Sequence, residues 1–328
     1  MTMKKIQSVE AVSKLIKEGK VLSLAGDERV LSQLPEGHWI AGTTPYFMSE
    51  DEGLFQQEAI YVDVLSDYVK GHTIKQYDAS NLHQITKDRY ENGFTILVIP
   101  AFSQVHSDYA LKAPDFEGLY DAPVLGWVSG KDLNSEDQPK IYNGTNGSSS
   151  SDQAVALHLE LPEGQMADLE IFNIHKPNPD SPLIEFDDNS FEVTDCKVDG
   201  QPMNFTQFIQ DRKLDIQSPI ICDYAGASIN VCIQNIDEDS GKVQFYAPVF
   251  KGRKYRLAIP LDDYAQEFTS NLPVAKSDVV FSCNCVLNFL YGELEGKKAG
   301  FPGPITFGEI GYLLLNQTMT YLNITDME

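Results

Sequence analysis

Cys283, Asn284 and Cys285 place two thiols and a carboxamide at a point where the apolar run 278–283 gives way to a helical pattern over 286–294. The first backbone N–H groups of a helix are unpaired and carry partial positive charge, so they can hold an anion or lower the pKa of a thiol. Cys283 or Cys285 is therefore a candidate nucleophile, with Glu309 or a distant histidine as base. The same residues also suit a buried strand end, where free cysteine behaves as a small apolar side chain. Zinc takes about four ligands and a single Cys-x-Cys pair supplies two, so no metal site is expected.

Glu309 follows Gly308 in a turn where backbone could approach a ligand closely, and its carboxylate could hold an ammonium group or act as a base. Its alternative roles are to cap a helix or to pair with a surface cation. The segment 38–47, with Gly42, Thr43 and Thr44 at its centre, mixes small residues, hydroxyls and aromatics. That mixture suits the wall of a ligand site, and equally a strand with a Gly-Thr bulge. Gly144 and Gly147 lie among serines, but no lysine follows and neither nucleotide fingerprint occurs, so nucleotide binding is not expected. Ser282 lacks the flanking glycines of a hydrolase elbow.

These groups must be held by a fold, and the order of apolar runs says which. Helical spacing over 9–18, a strand at 21–25 and a short helix opened by Asp27 begin an α/β pattern. A helix over 81–92, a strand buried on both faces at 94–100, a helix over 103–112 and a strand at 124–129 predict two parallel strands joined by a crossover helix. The Gly, Asn and Ser residues of 143–151 read as a linker, which divides the chain into an N-terminal domain, 1–147, and a C-terminal domain, 148–328. The second half is richer in antiparallel strands, with hairpin turns at 199–200 and 237–241 and a helix over 204–212 between them. The expected class is mixed α/β, two sheet-containing halves with helices packed on them.

Composition narrows the partners. Lys plus Arg is 25 against 48 for Asp plus Glu, a net charge of -23. A field of that sign repels nucleic-acid phosphates and anionic lipid surfaces, so neither is expected as a partner. The apolar runs are strand-length, which predicts no transmembrane helix. Residues 1–20 lack the uninterrupted apolar core of a signal peptide, and the five cysteines are an odd number, which together predict reduced thiols and a cytoplasmic location.

The stretch Val279-Val280-Phe281-Ser282-Cys283-Asn284-Cys285, followed by Gly300-Phe301-Pro302-Gly303-Pro304-Ile305-Thr306-Phe307-Gly308-Glu309-Ile310-Gly311, resembles the end of the C-terminal domain of the FIST sensory family. The segment 245–257, a strand, a glycine turn and a second strand, is also similar to that family. So is 95–100 taken with 122–127, although Trp127 stands where the family usually has a cysteine or small residue. The resemblance implies a sensory role in signal transduction, with small ligands such as amino acids and a separate signalling protein as partner. Taken with the residue types above, the expected pocket is built from Cys283, Asn284, Cys285, Phe307, Glu309, Gly42, Thr43 and Thr44. Some FIST proteins bind haem; the six histidines here are scattered, so any one of them would have to serve alone as an axial ligand.

Overall fold

Gly93–Pro100 is a run of β-branched and apolar residues buried along its whole length, and it forms the centre of a mixed α/β fold. The structure is a computed structural model and describes residues 4–224, 227–274 and 278–327, so Met1–Met3 of the amino-terminal stretch lie outside it. Gly93–Pro100 runs parallel to Val124–Ser129, in register from Thr95 opposite Val124 to Pro100 opposite Ser129. The helix Gln104–Lys112 makes the crossover, capped by Ser103, whose hydroxyl accepts from the His106 backbone N–H at 3.1 Å. The full sheet orders Leu313–Leu315, Glu309–Gly311, Val124–Ser129, Gly93–Pro100, Ala154–Glu160 and Gly71–Tyr77.

A second parallel pair, Leu22–Gly26 and Trp39–Thr43, lies in another six-stranded sheet. The two sheets meet at Gly42, where an added Cβ would stand 2.6 Å from both Trp127 and Val98. Only glycine lets them approach this closely. A third sheet orders Gln165–Phe172, Met319–Asp326, Val279–Cys285, Gly303–Thr306, Tyr46–Met48 and Gly53–Phe55. Ile40, Phe47, Val98, Trp127, Phe281 and Leu322 join all three sheets in one apolar core.

Between Gln165–Phe172 and Val279–Cys285 the chain builds a separate body. Strands from Ile184–Glu185 to Lys254–Leu257 form a six-stranded and a three-stranded sheet, with the helix Phe205–Arg212 packed on them. This body has its own core, in which Phe186, Phe205, Phe208, Phe245 and Tyr255 pack together.

The mixed α/β class, the parallel pair, its crossover helix and the hairpins at 199–200 and 237–241 agree with the sequence. The division at 147/148 does not. Residues 143–151 close a hairpin between Ile141–Asn143 and Ser148–Ser150, and Asn143 and Asn146 turn it by accepting from Thr145 and Ser148. Strands from both sides of that point share sheets, for example Ala154–Glu160 beside Gly93–Pro100 and Glu309–Gly311 beside Val124–Ser129. The independent body is the insertion between 184 and 257. The helix expected over 81–92 shortens to a 3-10 turn at Leu82–Gln84 and one turn at Ile85–Asp88. No helix among the described residues is long and apolar enough to cross a membrane.

Candidate functional site

Val279–Cys285 runs parallel to Gly303–Thr306, pairing Asn284 with Ile305 and Cys285 with Thr306. The chain then turns at Phe307 and Gly308 and re-enters the neighbouring sheet as Glu309–Gly311, with Glu309 opposite Trp127. This places the two sequence motifs together as a buried polar knot. Glu309 is fully buried; its Oε2 accepts from the Thr318 hydroxyl at 2.8 Å and the Thr318 N–H at 3.2 Å, and its Oε1 lies 3.2 Å from the Thr306 hydroxyl. Burial raises its pKa to about 8, against the opposing pull of bonds from Thr318, Thr306 and Cys285. Glu309 is therefore a neutral acid at pH 7, neither the ammonium clamp nor the surface ion pair considered from sequence.

The two thiols are buried as well. Burial pushes both Cys283 and Cys285 well above the ordinary thiol range, and the nearby Glu309 adds to it. Cys283 donates to the Gly126 carbonyl at 3.2 Å and sits 3.0 Å from the Thr320 hydroxyl. The helix after Cys285 is only Val286–Tyr291, too short to present a strong terminus, and the Cys285 side chain makes no cap bond. This burial weighs against the expected nucleophile at Cys283. Asn284 is buried, and its Oδ1 accepts from Asn288 Nδ2 at 2.8 Å while its own Nδ2 has no partner.

Gly42, Thr43 and Thr44 are not part of this group. The Thr43 hydroxyl donates to the Gly130 carbonyl at 2.7 Å and the Thr44 hydroxyl to the Ile305 carbonyl at 2.7 Å, so both tie sheets together. Thr43 and Thr44 also border a separate polar cleft of about 190 Å³ with Asp27, Arg29 and Lys131.

The cavity suited to a ligand lies where the inserted body meets the main body, and has a volume of about 310 Å³. Four elements supply its wall: Ala101, Phe102 and His106 at the carboxyl end of Gly93–Pro100; Cys285, Val286, Leu287 and Leu290 at the end of Val279–Cys285; Phe307; and Phe191, Phe245 and Tyr246 of the inserted body. Sites at the carboxyl ends of parallel strands and at domain junctions are the usual places for small ligands. Of the residues expected from sequence, Cys285 and Phe307 reach this wall. Cys283, Asn284 and Glu309 lie behind it.

Two wall residues carry polar atoms without hydrogen-bond partners. Asn316 is 1% exposed and its Oδ1 is unpaired, and the Nε2 of His106 is likewise covered and unpaired. Burial lowers the pKa of His106 to about 4, so the ring is neutral at pH 7. At the mouth, Phe102 has a left-handed φ of 63° and a side chain 66% exposed, its ring edge-on to Phe307 at 6.1 Å. A large side chain held at positive φ is strained, and such strain collects at functional sites. Gly130 seats Phe307, since an added Cβ there would stand 2.2 Å from the ring. His106, Asn316 and Tyr246 were not singled out from sequence; the one available signal was the position of 101–107 just past a buried parallel strand.

The fold and cavity define a mixed α/β protein with an inserted β-rich body and an open, aromatic-walled cavity between the two. Residues 7–325 match the model of a family of unknown function, DUF6976, and the chain belongs to that family. No curated protein matches it. Among the described residues no group of three or more His, Cys, Asp or Glu is placed to hold a metal ion.

Proposed function

We propose that this chain binds a small molecule in the junction cavity and serves as a sensory protein, passing the bound state to a separate signalling partner. The observation that carries the reading is the chamber itself, about 310 Å³, aromatic over much of its wall, with unpaired polar atoms on Asn316 and His106. Chambers of this size and make-up are typical of small-ligand sites. The FIST resemblance supports the sensory part, because its two motifs supply Cys285 and Phe307 to the wall. Five free cysteines support a reducing, cytoplasmic setting. The rival reading, a cysteine-dependent enzyme acting through Cys283, has only a buried, protonated thiol to work with.

Native mass spectrometry of the protein isolated from its own source, with an absorption spectrum for haem, tests the proposal. Wild type should retain a small-molecule adduct, and Phe102→Gly should lose it. Glycine adopts the left-handed φ without the roughly 1–2 kcal/mol that a side chain costs there, so Phe102→Gly should melt no lower than wild type. A bare mass for wild type, or an adduct retained equally by Phe102→Gly, would count against this site.

A further inference from the structure

We propose that the ligand of this cavity is an uncharged, flat ring compound carrying one hydrogen-bond donor, an inference that rests on the ligand-binding reading above. Among the described residues, the wall includes no Asp, Glu, Lys or Arg, although the chain holds 73 such residues in all, 48 acidic and 25 basic. A zwitterion bound against this wall would lose part of the hydration of its ammonium and carboxylate and find no counter-charge in return, which is unfavourable. An amino acid, expected from the family resemblance, is therefore a poor fit. Nor does the region behind the wall supply charge at neutral pH, since Glu309 is held neutral by burial and the thiols of Cys283 and Cys285 are pushed up.

What the wall does offer is ring faces and edges. Phe102, Phe191, Phe245, Tyr246 and Phe307 surround the space, and aromatic side chains favour flat partners through offset and edge-on contacts. Asn316 fixes the polarity of the recognition: its Nδ2 already donates to the Leu315 carbonyl at 2.9 Å, while its Oδ1 is unpaired. A buried amide oxygen without a partner is the group a ligand N–H or O–H would satisfy.

Indole is the simplest probe of this class, with L-tryptophan as the same ring bearing both charges and 1-methylindole as the ring without its donor. Calorimetric titration of the full chain should show saturable indole binding, with L-tryptophan and 1-methylindole each weaker by about tenfold or more, a factor that corresponds to about 1.4 kcal/mol. Leu290→Trp fills the mouth from a side chain already 43% exposed, so folding should be preserved while indole binding falls by a similar factor. Tryptophan binding as tightly as indole, and equally blocked by Leu290→Trp, would overturn the uncharged class and leave the cavity as a binding site. Equal affinity for 1-methylindole would overturn the role of Asn316. No binding of any probe would overturn this inference alone, and indole binding that ignores Leu290→Trp would overturn its placement in this cavity.

Discussion

Replacing Glu309 by Gln should flatten the dependence of stability on pH above neutrality. The folded pKa of Glu309 is raised to about 8 from an ordinary value of 4.5, so the folded chain keeps a proton that the unfolded chain releases. Its contribution to stability is fully present below pH 4.5 and is lost as pH rises toward 8. At about 1.4 kcal/mol per unit, the whole window amounts to about 5 kcal/mol, of which about 2 kcal/mol falls between pH 6.5 and 8. That upper part of the window is the informative one. The histidines whose pKa burial lowers to about 4, His106, His158 and His175, are half protonated at pH 6.5 in the unfolded chain, so each adds about 0.4 kcal/mol of stability as pH rises to 8. That gain is common to wild type and Glu309→Gln, and Glu309 is read from the difference between them. Gln keeps the shape without the titrating proton, and its oxygen can still accept from Thr318. Urea unfolding in steps from pH 6.5 to 8 should show wild type losing about 2 kcal/mol relative to Glu309→Gln. Parallel curves for the two proteins would refute the assignment of a neutral carboxyl at 309.

On the acid side the sign reverses: lowering pH from 6.5 to 4 should destabilise the fold by up to about 3 kcal/mol for each of His106, His158 and His175. His158→Gln should soften that acid transition, and an unchanged midpoint would show that His158 is not buried neutral. Iodoacetamide at neutral pH should label the native thiols at least about a hundredfold more slowly than free cysteine, since burial raises Cys283 and Cys285 strongly and Cys222 to about 11; fast labelling of Cys283 would revive the nucleophile reading. Gly42→Ala should cost roughly 1–3 kcal/mol by overpacking against Val98 and Trp127, read as a lower urea midpoint, and a midpoint equal to wild type would mean the two sheets can part there.

Local signals carried the elements whose determinants are local. Ser103 ahead of an amphipathic stretch and the unbroken apolar run 94–100 predict a capped helix and a doubly covered strand, and both are present. Residues 143–151 were misread because Gly, Asn and Ser suit a tight turn as well as a linker, and only the pairing of Tyr142 with Ser149 distinguishes them. The inserted body was illegible for a different reason: its limits are set by which strands pair, and strands on either side of it pair with each other across more than a hundred residues. The site divides in the same way. Cys285 and Phe307 stand at an abrupt change of pattern and could be named in advance. His106, Asn316 and Tyr246 meet them only through tertiary packing; His106 alone has a local signal, its place just past the buried strand 93–100.

The misplaced half of the expected pocket has a common cause. Glu309, Cys283 and Asn284 were chosen for what they could do in water, as base, nucleophile and polar contact, but the fold takes all three out of water. Desolvation reverses the order of effects: it raises the carboxyl and thiols by more than their hydrogen bonds lower them, so groups that look chemically active in sequence become neutral packing. The same burial shapes the chamber in front of them. With a net charge of -23 carried elsewhere on the chain, a wall without ionised side chains sets this junction apart, and Cys285, whose thiol is raised by the nearby Glu309 and which also lines the cavity, is where the two regions meet.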